Sequence, residues 1–305
     1  MEELSIAKFH TCARLRDGGL KCWGSNYNGQ VGDGTRTHRS SPTLIPGLCG
    51  VTSVATGGES TCVSLEPGAV RCWGLGFADT PTGIPRTGKV VRVTMSQGEA
   101  CGLHADGSVT CWGESEQRRS PWTIAISDVT QVVGSKGNVS RFFARTKDGS
   151  VWHWLGDASP ARVPMAPVRQ LSCGIETCCA LFDDGSVACW VPENPMPKPI
   201  PGLSDVVQVS AGGARDCAIL ADRTVRCWGP DRNIGTFGDG TTGPHPDPSP
   251  IPGLTDVRQI DPGNFNACAV LEDGTVKCWG SPTSSGGVLG DGTTGTRMTP
   301  VDVVM

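Results

Sequence analysis

The feature that most constrains this chain is a short motif that recurs seven times within 305 residues. Its first copy, CARLRDGGLKCWG, has two cysteines ten positions apart, an Asp-Gly between them and a Trp-Gly at the end. The cores of the seven copies span 12–24, 62–74, 101–113, 143–154, 179–190, 217–229 and 268–280. They begin 36 to 51 residues apart, and seven of the nine tryptophans occupy the same slot. Repetition of this kind indicates a solenoid or a propeller.

The segments between the cores repeat as well. A β-branched run such as VTSVAT (51–56) precedes each core, and a proline-marked stretch such as SPTLIPGL (41–48) follows it. Each repeat therefore contains four short strands, with proline confined to the last strand, as suits a sheet edge. We predict an all-β fold, a seven-bladed β-propeller with four antiparallel strands per blade, and one propeller domain over residues 1–305.

Hairpin geometry predicts what the paired cysteines do. If Arg16-Asp17-Gly18 forms a three-residue loop, then Cys12 faces Cys22 at a non-hydrogen-bonded pair, where side chains approach most closely. We expect disulfides at Cys12–Cys22, Cys62–Cys72, Cys101–Cys111, Cys179–Cys189, Cys217–Cys227 and Cys268–Cys278. A zinc site is the alternative, but zinc ligands usually come as closely spaced Cys-x2-4-Cys pairs. The Cys-x-x-Cys of thioredoxin-like redox sites is absent.

The fourth repeat acts as an internal control. Both cysteine slots change together there, to Phe143 and His153, as expected if the two cysteines act as a pair. We take His153 as a packing or edge residue rather than a metal ligand. Three cysteines remain: Cys173 and Cys178 flank a four-residue turn and could form a seventh bridge, which leaves Cys49 as the odd thiol, buried in one interpretation. This many disulfides indicates an oxidising location, namely extracellular, periplasmic or cell-surface.

The run CWGSNYNGQVGDGT at Cys22–Thr35, with an Asp-Gly before it and a proline-led strand after it, resembles the regulator of chromosome condensation repeat. The segments at 235–242 and 287–294 are similar to the second half of that repeat. The resemblance implies a seven-bladed propeller, here in a disulfide-rich, exported, bacterial-type form. It implies no single chemistry, because the family includes a nuclear guanine-nucleotide exchange factor and a secreted bacterial inhibitor of β-lactamases. Exchange activity fits the cysteines badly, and no catalytic residue is carried over.

Composition and motifs narrow the function further. The net charge of −4 favours neither nucleic acid nor an anionic membrane as a partner, and no apolar run is long enough to cross a bilayer. The start, MEELSIAKF, does not resemble a signal peptide. No phosphate-binding loop or hydrolase elbow is found, so we expect no catalytic site, no metal and no cofactor. Asp33, Asp239 and Asp291 in the Gly-Asp-Gly-Thr segments are expected to cap turns, with cation binding as the alternative.

We predict a protein-binding or scaffold function, with another protein as partner and a monomeric propeller. Loops of variable length on a rigid scaffold are where binding sites are usually built. These are the loops that join strands one to two and three to four of each blade, and they share one face. The candidate contacts are Tyr27, Phe77, Arg118, Arg119 and Trp122. An enzyme with an axial site and a carbohydrate-binding module are the alternatives, and ring closure could occur blade to blade or through a clasp by MTPVDVVM.

Overall fold

The computed structural model describes residues 1–113, 115, 120–137, 140–213, 215–230, 235–281 and 287–304. It contains seven antiparallel sheets of four consecutive strands each, so the predicted seven-bladed propeller is confirmed. Within each sheet the strands lie side by side in chain order. The described residues contain no helix, and so no helix that could cross a membrane.

The strand bounds follow the predicted repeat. Blade 1 contains β1 (Glu3–Ile6), β2 (His10–Arg14), β3 (Leu20–Gly24) and β4 (Arg39–Leu44). Blade 2 contains β5 (Val51–Gly57), β6 (Ser60–Leu65), β7 (Ala69–Gly74) and β8 (Thr82–Gly83). Blade 3 contains β9 (Val90–Met95), β10 (Glu99–His104), β11 (Val109–Gly113) and β12 (Trp122–Ile124). Blade 4 contains β13 (Val129–Gly134), β14 (Arg141–Thr146), β15 (Val151–Leu155) and β16 (Ala161–Arg162).

The remaining three blades have the same order. Blade 5 contains β17 (Gln170–Cys173), β18 (Cys178–Leu181), β19 (Val187–Val191) and β20 (Asn194–Pro199). Blade 6 contains β21 (Val206–Ala211), β22 (Asp216–Leu220), β23 (Val225–Gly229) and β24 (His245–Pro250). Blade 7 contains β25 (Val257–Pro262), β26 (Asn266–Leu271), β27 (Val276–Gly280) and β28 (Arg297–Asp302).

The hairpin register places the cysteines opposite each other as predicted. Cys12 is the cross-strand partner of Cys22, with a Cα–Cα separation of 4.1 Å. All six expected bridges are formed, and Cys173–Cys178 makes the seventh. Cys49 is a free thiol but it is exposed, so the interpretation that placed it in the interior is wrong. It lies in the crossing from blade 1 to blade 2, between β4 and β5.

The hydrophobic core is divided into seven clusters, each between neighbouring blades. In six of them the repeated tryptophan of one blade packs with the disulfide of the preceding blade, as Trp73 does with Cys12 and Cys22. The seventh cluster contains Trp190 and, from blade 4, Phe143 in place of a disulfide. The two rings meet edge to face with centroids 5.7 Å apart. An aromatic side chain thus fills the space that a disulfide fills elsewhere, which explains why both cysteine slots of blade 4 changed.

The first strand of every blade is innermost, and these strands line a narrow axial channel of about 190 Å³. An innermost strand has a free edge whose N–H and C=O groups need partners. Side chains of the preceding blade supply them. Gln259 of blade 7 accepts a hydrogen bond from the Leu4 N–H (3.0 Å) and donates one to the Leu4 carbonyl (2.9 Å). The same two-bond pairing joins Gln131 to Leu171 and Gln170 to Val209.

The ring closes by this same device. Blade 7 meets blade 1 through the Gln259–Leu4 pair and through the Asp261 carboxylate, which accepts a hydrogen bond from the Ile6 N–H at 2.7 Å. The last strand, β28, pairs with β27 inside blade 7. The clasp of MTPVDVVM into the first blade is therefore wrong, and closure from blade to blade is confirmed.

Candidate binding face

The loops that follow strand three bend back onto the loops between strands one and two. The N–H of Ser25 donates to the carbonyl of Phe9 at 2.8 Å, and the N–H of Leu75 donates to the carbonyl of Glu59 at 2.9 Å. Both loop types therefore lie on one side of the disc, here called the loop face. The hairpin turns lie at the opposite ends of the same strands, on what we call the turn face.

The turn face is built from one repeated device. In six blades an aspartate carboxylate accepts a hydrogen bond from the N–H two residues later, at 2.8–3.0 Å; these residues are Asp17, Asp106, Asp148, Asp184, Asp222 and Asp273. For Asp148, hydrogen bonds from Thr146 and Ser150 lower the carboxyl pKa to about 2. The central residue of each turn has a positive φ and is glycine, except in blade 6, where Arg223 has φ 66°. Six nearly identical turns leave this face short and uniform.

The Gly-Asp-Gly-Thr segments fold loops on the opposite face. Asp33 accepts hydrogen bonds from the Thr35 N–H (3.0 Å) and hydroxyl (2.8 Å), and it forms an ion pair with Arg39. Burial raises the pKa of this carboxyl, but the hydrogen bonds from Thr35 and Arg39 outweigh burial and lower it overall. The other two segments repeat the arrangement, pairing Asp239 with His245 and Asp291 with Arg297. The predicted turn-capping role is confirmed.

These loops also join neighbouring blades. The glycine before each aspartate lies against the tryptophan of the next blade, so that a Cβ at Gly32 would overlap the indole of Trp73. Gly238 approaches Trp279 and Gly290 approaches Trp23 in the same way. The indole N–H of Trp73 donates to the carbonyl of Gln30 at 2.9 Å. These loops are therefore held by the same tryptophans that form the core.

A cavity of about 530 Å³ opens at the centre of the loop face. We call it the axial mouth. Among the described residues, loops of six blades contribute to its wall, which includes Lys8, Phe9, Gly58, Glu59, Leu75, Gln97, Lys136, Ile175, Glu176 and Asn264. Two lysines and two glutamates share this wall with apolar side chains. A mixed wall of this kind suits a partner surface that presents both charged and apolar groups.

Lys136 forms the floor of the axial mouth and also lines the channel below. Its ammonium group donates to the carbonyl of Ile6 in blade 1, far from blade 4 in sequence. Burial raises the pKa of the nearby Asp261 carboxyl, against the opposing effects of Lys136 and of the Ile6 N–H. The side chain of Lys136 therefore bridges separate blades at the axis.

Two further titratable groups lie buried beneath the loop face. Burial lowers the pKa of His10 to about 3, with a smaller contribution from the charge of Lys136. A ring nitrogen of His10 is 2.8 Å from the Thr61 hydroxyl, so this histidine links blade 1 to blade 2. Burial raises the pKa of Asp216 to about 6, although Thr177 and the Gly212 N–H hydrogen-bond to it. Asp216 lies near Cys179 and Cys189, whose sulfurs are bonded to each other and so cannot serve as thiolate ligands.

The structure describes three of the five predicted contact residues. Tyr27 is 61% exposed on the loop face and meets the His38 ring edge to face at 4.2 Å. Phe77 is partly buried against the core and lines a groove of about 590 Å³ at the rim. Trp122 lies in β12, partly buried, and its N–H donates to the carbonyl of Gly156 at 3.3 Å. The other two predicted contacts, Arg118 and Arg119, lie outside the described residues.

Sequence reasoning missed the residues of the axial mouth. Lys8, Glu59, Gln97, Lys136 and Glu176 all lie in the short loop between the first and second strands of their blades. Aligning the repeats would have shown that these five positions share one location. It would not have shown that the loops converge, because convergence depends on the closed ring.

Comparisons with known proteins agree with this architecture. Residues 17–64 and 257–285 match the regulator of chromosome condensation repeat. A crystal structure of human WBSCR16 superposes with a TM-score of 0.80 at 18% identity, covering 94% of this chain and 95% of that one. Yeast RCC1 (Prp20), solved with Kap60 bound, superposes with a TM-score of 0.78 at 18% identity, covering 93% of this chain and 83% of that one. The CRINKLY WD40 ectodomain of the Arabidopsis thaliana receptor kinase ACR4 superposes with a TM-score of 0.61 at 19% identity, covering 93% of this chain and 96% of that one. Among curated protein sequences none matches, and at these identities the structural likeness establishes the fold alone.

Proposed function

We propose that this propeller of regulator of chromosome condensation repeats is a non-catalytic binding protein that recognises another protein through its loop face. The observation that carries the proposal is the axial mouth, to which six blades contribute loops. A site built by many loops on a disulfide-braced ring is preorganised, so little conformational entropy is lost when a partner binds. The exposed aromatic ring of Tyr27 lies on the same face and offers the kind of side chain that anchors interfaces.

The structural neighbours support a protein partner in general terms. Yeast RCC1 was solved with Kap60 bound, and the binding of Prp20p to Gsp1p and histones has been described. These partners belong to those proteins and are not transferred to this chain. In those proteins a propeller of similar shape serves as a platform for other proteins.

The wall charges of the axial mouth allow a direct test. The wild-type protein is immobilised and used to capture partners from culture fluid and from the cell envelope, followed by mass spectrometry. We expect a protein that binds wild type and is lost with Glu176→Lys and with Lys8→Glu. The matched control is Asp183→Lys, which changes an exposed charge on the turn face and should retain the partner. Equal capture by all four proteins, or no specific capture by wild type, would contradict the proposal.

We also propose that the protein works in an oxidising compartment, outside the cell, in the periplasm or at the cell surface. Seven disulfides in a chain of this size are rarely stable where thiols are kept reduced. Peptide mapping without reductant, on protein isolated from its native source, should find Cys12 joined to Cys22 and Cys49 alkylated. Free thiols at Cys12 and Cys22 would refute the assignment of compartment.

A further inference from the structure

Blade 4 differs from the other blades at one position of its third strand. The residue just before the second cysteine slot is Trp152. The other six blades have basic or small residues there, namely Lys21, Arg71, Thr110, Ala188, Arg226 and Lys277. Trp152 is partly exposed in β15, beside the two-residue outer strand β16. A large aromatic ring at a position that neither the fold nor the repeat requires suggests a ligand contact.

Trp152 forms one wall of a cavity of about 580 Å³ on the turn face, at the junction of blades 3 and 4. The remaining wall is polar and comes from the hairpin turn of blade 4, from the crossing at 127–128 and from Arg162 on β16. Arg162 is the cross-strand partner of Trp152, so both side chains lie on the same face of the sheet and both line the cavity. The cavity therefore has one aromatic side and a rim of hydrogen-bonding groups.

The rim offers donors and acceptors without a net charge. It has two cations, Lys147 and Arg162, and two carboxylates, Asp128 and Asp148. Asp148 is already engaged by the hydroxyls of Thr146 and Ser150 and by the Ser150 N–H. Arg162 donates one hydrogen bond to the Ser150 hydroxyl at 3.1 Å, which fixes the guanidinium group and leaves other N–H groups for a ligand. A balanced rim of this kind selects hydroxyl groups rather than an ion.

We propose that this cavity is a binding site for a neutral pyranose, as a unit of an oligosaccharide. The flat C–H face of a pyranose carries slight positive charge and fits the negative face of an indole. Its edge hydroxyls are both donors and acceptors, so they pair with the guanidinium of Arg162 and with the exposed carboxylate of Asp128. The volume accommodates one or two sugar rings. The site lies on the face opposite the axial mouth, so saccharide and protein partner bind independently.

The test uses four neutral probes, namely maltohexaose, cellohexaose, xylohexaose and hexa-N-acetylchitohexaose, and oligogalacturonate as an anionic comparison. Each is titrated up to about 10 mM by isothermal titration calorimetry. We expect at least one to bind, and Trp152→Lys to weaken that binding tenfold or more. Lysine occupies this position in blades 1 and 7, so the substitution is compatible with the blade fold. Arg162→Gln should weaken binding as well, since it removes the charged donor while it retains an amide. Met196→Ala, which changes an exposed side chain of blade 5 away from the cavity, is the control and should bind as wild type does.

The outcomes separate clearly. Failure of all four hexasaccharides to bind the wild-type protein overturns the proposal. Binding that survives Trp152→Lys unchanged also overturns it, because the sugar would then lie elsewhere. Preference for oligogalacturonate over every neutral probe would show that the cations, rather than the indole and hydroxyl pairing, dominate, and it would refute a neutral pyranose as the ligand.

Discussion

Restoring the missing bridge of blade 4 tests how the blades pack. Phe143 and His153 are cross-strand partners in the register that carries the disulfide in the other hairpins. The double substitution Phe143→Cys with His153→Cys should therefore form an eighth disulfide without movement of the strands. Such a bridge closes a loop of about ten residues, and the chain-entropy argument gives it about 3 kcal/mol of stabilisation at 25 °C.

Packing opposes that gain. Phe143 is fully buried and its ring lies 5.7 Å from that of Trp190. Truncation of a buried phenylalanine usually costs about 3–5 kcal/mol, of which the two sulfurs recover a part. The net change in the free energy of unfolding should therefore lie within about 2 kcal/mol of zero, although the bridge itself is strong.

A matched variant isolates the bridge from the packing. Phe143→Ala with His153→Ala removes the same side chains and cannot form a disulfide. In urea titrations without reductant, the free energy of unfolding of the cysteine variant should exceed that of the alanine variant by about 3 kcal/mol or more, because the sulfurs also fill space. Mass spectrometry after alkylation counts the free thiols. Two additional alkylated cysteines, or equal stability of the two variants, would refute the view that blade 4 keeps the geometry of a disulfide hairpin.

Three further outcomes follow from the same contacts. Gln259→Leu removes the two hydrogen bonds that join blade 7 to blade 1, two blades that are not consecutive in the chain. It should lower the free energy of unfolding by about 2–5 kcal/mol. Hydrogen exchange should then accelerate in β1, whereas the control Gln131→Leu should leave β1 protected. Burial raises the pKa of Asp216 to about 6, so the folded state binds the carboxyl proton more tightly than the unfolded chain does. The protonated carboxyl therefore adds to the free energy of unfolding at low pH, and this contribution is lost as pH rises from about 4 through 6. Urea titrations should show that Asp216→Asn reduces the fall in the free energy of unfolding between pH 4 and pH 7 by up to about 3 kcal/mol. A pH profile equal to that of wild type would refute this role of Asp216. Arg223→Gly should stabilise the protein by up to about 1 kcal/mol, because Arg223 has a positive φ of 66° that glycine adopts without strain. Gly185→Arg should destabilise the protein for the same reason. Thermal melts in which Arg223→Gly lowers the melting temperature, or Gly185→Arg raises it, would exclude backbone strain as the cause.

Much of the architecture could be predicted because it depends on local, repeated chemistry. The pairing of Cys12 with Cys22 follows from the length of the Asp-Gly turn, which sets the register of the hairpin. The tryptophan slot indicates a buried position because it recurs in every blade. The capping role of Asp33 follows from the residues next to it in sequence. For the cysteine pair and the capping aspartate, the interacting groups lie within about a dozen residues of each other, so spacing alone limits the geometry.

The candidate sites were harder to predict because they combine distant segments. Phe77 and Trp122 are aromatic residues outside the repeat pattern, yet both are partly buried against the clusters between neighbouring blades. Lys136 has no motif around it, and its place at the floor of the axial mouth depends on seven blades closing into a ring. The interpretation that Cys49 is buried was wrong for a related reason. The exposure of its side chain depends on how the segment between blades 1 and 2 lies on the surface.

By itself the sequence determined the number of blades, the strand order within each blade and the bridges of the second and third strands, because these follow from periodicity and hairpin length. Only the tertiary structure decided how the ring closes, through Gln259 and Leu4, and which loops meet at the axis. It also revealed that Phe143 takes the place of a disulfide against Trp190. The physical reason is the range of the interactions: turns and registers are fixed by neighbours along the chain, whereas an axial mouth or an inter-blade core exists only when residues far apart in sequence are brought into contact.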